Sequence, residues 1–360
     1  MHSPVGPSTH HAGAAPPYPD HGPRPHAGYL VAVDGGQTST KALLAAPDGT
    51  VLGRGAGGPC DRFDAPGGAA RNRAGIQGAI RAAQAAAATA GHPAPEEVAA
   101  IGLGLTGYHA GGPELPAIEA LVREALAPGQ VVAVGDYVTN LGGASGGRPG
   151  VAVIAGGGSV AYGLAADGRD ALVGGYGHLL GDEGSAYDIG RQALRAAMRA
   201  ADGRDAPTAL RDAVPAALGV AAPHKLLDVV YRPEFGRERV AALAPLVAEA
   251  ARAGDATAAR VMADAGEELA GLALACVRRL CAPGEAIRVY PTGGVFAAGA
   301  VLDGPFRDAL RAGWPPARVE SPAYPPVVGA LILARRAAGG DADAAWLARV
   351  GATFELKVAS

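Results

Sequence analysis

The chain has 360 residues, 49% of them hydrophobic and 18% charged, enough to bury the cores of two globular domains and too apolar for a disordered protein. A net charge of −3, with Lys41, Lys225 and Lys357 as the only lysines, lacks the clustered basic footprint of a general nucleic-acid binder. No apolar run approaches the roughly 20 residues that span a bilayer, and no charged-then-apolar leader opens the chain. Cys60, Cys276 and Cys281 have no zinc-type spacing and read as reduced, buried thiols of a cytoplasmic protein.

In chain order, residues 1–28 mix Pro, Gly, Ala and His without periodicity and read as a disordered tail with solvated histidines. The apolar run Tyr29–Val33 then enters Asp34-Gly-Gly-Gln-Thr-Ser-Thr-Lys41, a second apolar run leaves it, and Asp48-Gly49 turns the chain back. This is a β-hairpin with a Gly-rich corner. Such a corner lets backbone N–H groups approach a phosphate, with Thr38, Ser39 and Thr40 as added donors. Asp34 is placed to hold a hydrated Mg²⁺. A tight hairpin without ligand is the plain alternative.

A polar loop, Gly57–Asp64, leads to an Ala-rich helix over 69–90. A strand over 98–105 ends in Thr106-Gly-Tyr-His109, a helix covers 115–126, and a strand over 130–134 delivers Asp136 to its end. Alternating strands and helices predict a largely parallel α/β core, whose ligands gather beyond the carboxyl ends of the strands. Gly142–Gly150 (GGASGGRPG) reads as a linker, compatible with a hinge, and marks a domain boundary.

The first hairpin then repeats. Val151–Ile154 runs into Ala155-Gly-Gly-Gly-Ser159, continues as an apolar strand and turns at Asp167-Gly168. A repeat of this kind decides the architecture, because two such corners facing one cleft would grip a polyphosphate. Gly174–Gly184 holds five glycines in eleven residues, and Ser185-x-x-Asp188 has capping-box form for a helix to about residue 200. Residues 201–285 look helical, with Val261, Ala265, Leu269, Leu272, Cys276 and Leu280 along one face as core. A strand over 287–290 leads into Thr292-Gly-Gly-Val295, and a last apolar helix covers 327–338.

The paired hairpins resemble the phosphate-1 and phosphate-2 loops of the sugar kinase, Hsp70 and actin superfamily. GGYGHLLGDEGSAYDIG (Gly174–Gly190) is similar to the N-acetylglucosamine kinases and the BadF/BadG/BcrA/BcrD-type ATPases grouped with them, and PTGGVF (Pro291–Phe296) resembles their adenosine loop. The resemblance covers about residues 29–350. It implies two actin-like (ribonuclease H-like) α/β domains, 29–147 joined by about 327–350 and 148–326, with an interdomain nucleotide and sugar cleft that closes on the sugar.

It further implies ATP and Mg²⁺ as cofactors, a homodimer, and a small-molecule amino sugar, N-acetylglucosamine or glucosamine, phosphorylated on its 6-hydroxyl. Asp136 would be the general base and a sugar contact. Asp61, Ser159, Gly175, Tyr176, Gly177 and Asp182 would bind the sugar, with His178 in the same motif; His109 reads as structural. Gly35, Gly36, Gln37, Thr38, Gly156, Gly157, Gly158, Gly293 and Gly294 would bind ATP, and Asp34 the metal.

Three positions depart from the pattern. Gly157 replaces a threonine, while Asp61 and Val160 replace sugar-contacting asparagines. Exchanging amide for carboxylate removes donors and adds charge, which would favour a free ammonium and hence glucosamine. Two other readings stand beside the kinase. One is an ATPase activator with an iron–sulfur cluster, for which Cys276 and Cys281 are poorly placed. The other is a sugar-sensing pseudokinase.

Overall fold

The computed structural model describes residues 28–354, except 62, 64, 93, 94, 96 and 97. The expected tail lies outside the described residues apart from Gly28, as do Arg62 and Asp64 of the polar loop. The chain divides into two compact units, Met1–Val138 with Ala330–Ser360, and Thr139–Gly329.

In the first unit, β1 (Tyr29–Gly35), β2 (Thr40–Ala45) and β3 (Val51–Gly57) form an antiparallel meander, followed by α1 (Gly68–Thr89), β4 (Val98–Leu105), α2 (Leu115–Arg123) and β5 (Pro128–Gly135). The sheet order is β3-β2-β1-β4-β5, with β1, β4 and β5 parallel. Every residue of β4 is buried, as a central strand covered on both faces requires. From Gly53 onward glycine sits at every second position of β3, and a Cβ on Gly53, Gly55 or Gly57 would overlap the backbone of α1 near Ala83, Ala79 or Gly75. The period of two places all three on one face, so the helix lies directly on the strand. α3 (Asp136–Ser145) then carries the chain out of this unit.

The second unit repeats the plan with β6 (Gly150–Ala155), β7 (Ser159–Leu164) and β8 (Asp170–Gly174), then α4 (Ala186–Ala201), α5 (Leu210–Ala217), α6 (Leu227–Val230), α7 (Arg237–Ala241), α8 (Ala244–Arg252) and α9 (Ala256–Leu280). It closes with β9 (Ile287–Thr292), α10 (Ala300–Gly313) and β10 (Ala317–Val319). The order is β10-β9-β6-β7-β8, with β6, β9 and β10 parallel. This is the strand plan of the first unit, and the hairpin repeat seen in the sequence is therefore a repeat of whole sheets. The α9 stripe is core: Val261, Ala265, Leu269, Cys276 and Leu280 are buried, and Leu272 packs partly buried against them.

α11 (Pro326–Ala337) leads back to the first unit, where α12 (Ala344–Thr353) docks. The sequence reading missed α12. Asp343 caps it by accepting from Trp346 N at 2.8 Å, Trp346 Nε1 donates to Pro47 O at 3.1 Å, and Thr353 Oγ1 accepts from Val51 N at 2.9 Å.

The expected linker is corrected by the structure. Gly142 and Gly143 lie inside α3, where a Cβ on Gly142 would come within 3.3 Å of Gly329 Cα and one on Gly143 would overlap Pro325 O. These glycines permit a close helix crossing within the second unit, which is the opposite of a slack connection. Of the cysteines, Cys60 and Cys276 are buried but Cys281, just past the end of α9, is half-buried; all three are free thiols. Among the described residues no helix is long and apolar enough to cross a membrane.

Candidate active site

In the first unit the sheet register gathers the chemistry. β1 pairs with β4 so that Asp34 lies beside Gly104 and Gly35 beside Leu105, and β4 pairs with β5 so that Leu105 lies beside Gly135. Asp34, Thr106 and Asp136 therefore stand together at the carboxyl edge of three adjacent parallel strands, where α/β sheets hold ligands. The Thr106 hydroxyl donates to Asp136 Oδ2 at 2.6 Å, and Thr106 N donates to Gly35 O at 2.9 Å.

Burial pushes the Asp136 carboxyl above its ordinary value. The Thr106 bond, backbone N–H groups at the start of α3 and His109 pull it part of the way back. Asp34 is pushed up to about 6, first by burial and further by Asp136, with Lys41 opposing. Two half-buried carboxyls at one strand edge, with Asp136 adding to the rise on Asp34, form a site that a cation would relieve. His109 accompanies them, with Nδ1 3.2 Å from Tyr137 Oη.

The Gly-rich corner is closed by Gly36 N donating to Ser39 O at 3.1 Å, and Gln37, Thr38 and Ser39 are exposed on it. Gly35 has no room for a side chain, since a Cβ would lie 2.9 Å from Cys60 Sγ. Cys60 N in turn donates to Gly36 O at 2.9 Å, which ties the segment bearing Asp61 to the corner. The buried Asn72 holds that segment: it accepts from Cys60 Sγ at 2.6 Å and donates to Asp61 O at 2.8 Å. The Asp61 carboxylate pairs with Arg71 Nε at 3.0 Å. Its charge is already offset within the unit, which leaves less negative charge to attract the ammonium of a free amino sugar.

In the second unit the corner Gly156–Gly158 joins β6 to β7. Gly156 N donates to Gly158 O and Ala186 N to Gly156 O, both at 2.9 Å, whereas the amides of Gly157 and Gly158 find no acceptor among the described residues. Asp182 braces the corner. It is buried, its Oδ1 accepts from Ser159 N at 3.1 Å, and it is the only described residue other than glycine at positive φ, 62°. A Cβ on Gly158 would lie 2.6 Å from that oxygen. The Ser159 hydroxyl, expected to meet sugar, donates inward to Glu183 O at 2.7 Å.

Gly174, Gly175 and Gly177 all have positive φ, and the loop they form leaves Tyr176 62% exposed. His178 stacks edge-on against Tyr187 at 5.0 Å. The cap of α4 forms as expected, Ser185 Oγ accepting from Asp188 N, while Asp188 reaches back to Gly184 N in place of Ser185 N. At the end of β9, Gly293 (φ 95°) packs so closely that a Cβ would overlap Ala155 O, and nothing crowds Gly294. Glu183 is exposed and lines a cavity of about 450 Å³ with Asp264, Glu267 and Glu268.

The structure thus groups Asp34, Gly35, Gly36 and Asp136 in one unit, with Asp61 tied alongside, and Gly156–Ser159, Asp182 and Gly293 in the other. Sequence reasoning missed Thr106, Asn72 and Arg237. Thr106 carried a signal, a hydroxyl one residue past a buried strand, but the side chains that Asn72 and Arg237 meet are set by folding alone.

Two duplicated five-stranded α/β units, each with a Gly-rich corner after its first strand, define the fold class of the actin-like sugar kinases. Residues 31–334 match the BadF/BadG/BcrA/BcrD ATPase family, and the chain belongs to it. It is 32% identical over 240 residues, 67% of this chain and 78% of the relative, to an N-acetylmuramic acid/N-acetylglucosamine kinase of Clostridium acetobutylicum. It is 29% identical over 187 residues to an N-acetyl-D-glucosamine kinase of Dictyostelium discoideum, covering 51% of this chain and 59% of that one. The crystal structure of a candidate N-acetylglucosamine kinase of Chromobacterium violaceum superposes with a TM-score of 0.67 at 31% identity, over 85% of this chain and 98% of that one.

Proposed function

We propose that the protein is an ATP-dependent kinase that phosphorylates the 6-hydroxyl of an amino sugar, with the N-acetylated sugar preferred over the free amine. The observation that carries this reading is the Thr106–Asp136 pair at the carboxyl edge of β4 and β5, 2.6 Å apart. Phosphoryl transfer needs a carboxylate near the attacking hydroxyl, and little else of covalent chemistry from the protein. Asp136, with its proton affinity raised by burial, accepts the proton of the sugar hydroxyl, and Thr106 fixes which carboxylate oxygen faces it.

ATP, when bound, supplies the transferable phosphoryl group. Asp34 would hold the hydrated Mg²⁺ that accompanies it, a role that its crowding by Asp136 supports. The exposed Gln37–Ser39 corner and the free amides of Gly157 and Gly158 would receive phosphate oxygens. Thr38, Gly156 and Gly294 belong to the same surfaces. The preference for an N-acetylated sugar rests on the Asp61–Arg71 pair and on the substrates named for the relatives. The same proposal includes a cytoplasmic homodimer whose partner is the sugar alone, with neither nucleic acid nor membrane. The cluster-bearing ATPase reading is not favoured, because Cys276 Sγ lies within the core against Ala171 O at 3.4 Å.

The test is ADP release by the full chain with Mg-ATP and a panel of N-acetylglucosamine, glucosamine, N-acetylmuramic acid, glucose and buffer. Turnover on one N-acetylated sugar, abolished in Asp136→Asn, is the expected result. ADP release that ignores the sugar would refute the kinase and leave an ATPase, and ATP binding without turnover would leave a sensor.

A further inference from the structure

The corner between β6 and β7 is equipped with amides but not with side-chain donors. Gly157 has no side chain, and the Ser159 hydroxyl is committed to Glu183 O at 2.7 Å. An anion held by the amides of Gly157 and Gly158 alone would meet partial charges and no full positive charge. One cation stands at the corner. Arg237 Nη2 donates to Gly157 O at 3.0 Å and approaches Asp182 Oδ2 at 3.3 Å. The side chain keeps 28% of its surface exposed, and its Nε and Nη1 have no partner among the described residues. The free amides, the guanidinium and the open space beside Gly156 and Gly157, where an added Cβ would meet nothing within 4 Å, lie on one short stretch of backbone.

We propose that Arg237 is a phosphate-binding residue of the nucleotide site. Its guanidinium, anchored through Nη2 to Gly157 O, turns its remaining donors to the terminal phosphates of a bound nucleoside triphosphate. Asp182 has the complementary part of a positioning residue. One carboxylate oxygen holds the corner through Ser159 N and the other holds the arginine, so that the amides and the cation are presented together. A planar guanidinium with several donors can keep one bond to a carbonyl while giving others to phosphate, which an ammonium does less well. This assignment rests on the nucleotide-binding part of the proposed function and is independent of which sugar is used.

The experiment measures binding of Mg-ATP, Mg-ADP and AMP to the full chain by calorimetry, for wild type, Arg237→Met and Arg237→Lys, with thermal melting as a check on folding. Arg237→Met should weaken ATP by about 10- to 100-fold, the range for loss of a charge-assisted bond, with ADP weakened less and AMP within about twofold. Arg237→Lys should recover much of the loss because it keeps the charge. In turnover the KM for ATP should rise while the KM for sugar stays unchanged.

Equal weakening of ATP, ADP and AMP, or a matching rise in the sugar KM, would overturn the assignment and make Arg237 a support of the loop. Unchanged ATP affinity in a folded Arg237→Met protein would overturn it as well. If the wild type binds ATP but turns over no sugar, and the variant still loses ATP selectively, the kinase reading fails and Arg237 stands. If the wild type binds no nucleotide, both fall.

Discussion

Replacing Thr106 by valine removes one hydroxyl and almost no volume, so the change isolates the bond to Asp136. That bond is 2.6 Å long and reaches a carboxyl whose proton affinity is already raised by burial. Thr106 works against that burial, since it donates to the ionised form and so favours it. Without it the carboxyl keeps its proton to a higher pH, and the proposed base is unavailable where the wild type still has it. Hydrogen bonds to charged groups contribute about 1.5–3 kcal/mol, which corresponds to a loss of roughly 10- to 100-fold in kcat/KM on the acid side. The assay is kcat/KM for the preferred sugar from pH 5.5 to 9. The acid limb should move to higher pH, with the variant within about threefold of wild type at pH 9 as the residual effect of misorientation. An equal loss at every pH would show that Thr106 does not act through the ionisation of Asp136. No loss at all would refute the pairing.

Asp34 makes a separate prediction for stability. Its carboxyl titrates near 6 in the fold against an ordinary value of 3.8, so the native state binds the proton more tightly and this residue's contribution to stability falls as pH rises from about 4 to 6. Asp34→Asn should therefore be more stable than wild type by about 3 kcal/mol at pH 7.5 and within about 1 kcal/mol of it near pH 4, by urea unfolding; the same offset at both values would contradict the assignment. Iodoacetamide on the native protein should modify Cys281 first, because burial pushes the Cys60 and Cys276 thiols up to about 12; mass spectrometry showing Cys60 labelled first would sink this. Gly55→Ala should cost about 3 kcal/mol and lower the melting temperature by several degrees, since its Cβ would overlap Ala79 O of α1; an unchanged melting point would mean that the strand and helix are not in contact.

Much of the fold was legible because its signals are local. Both Gly-rich corners follow apolar runs that became β1 and β6, and Asp136 lies one residue beyond β5, so a strand-end position could be read from a run of small apolar residues. What failed was whatever depended on a distant partner. Gly142 and Gly143 look like linker residues in a list of letters, and only the arrival of Pro325 and Gly329 turns them into a crossing point. The glycines of β3 have the same ambiguity: alternate glycines weaken an isolated strand, yet here they admit α1. α12 had a readable cap in Asp343 but little apolar periodicity, and its ties to Pro47 and Val51 span about 300 residues of sequence. Ser159 was picked out by motif position, which carries no information about the bond its hydroxyl makes to Glu183 O.

The two units share a strand order and treat their carboxylates differently, and the difference separates chemistry from support. In the first unit Asp34 and Asp136 are enclosed together at the strand ends, and each has its proton affinity raised. That arrangement costs stability and is retained where a base or a cation ligand is needed. In the second unit Asp182 is at least as buried, but a backbone amide and a guanidinium meet its two oxygens. A carboxylate so occupied is well disposed to hold a loop, even at the strain of a positive φ. Under the proposed function, the duplicated fold would give one unit to proton and metal chemistry and the other to gripping an anion. Asp136→Asn should then abolish turnover with nucleotide affinity intact, and Asp182→Asn should act first on the affinity for ATP. Loss of sugar affinity alone in Asp182→Asn would return that residue to the sugar and refute this division of labour.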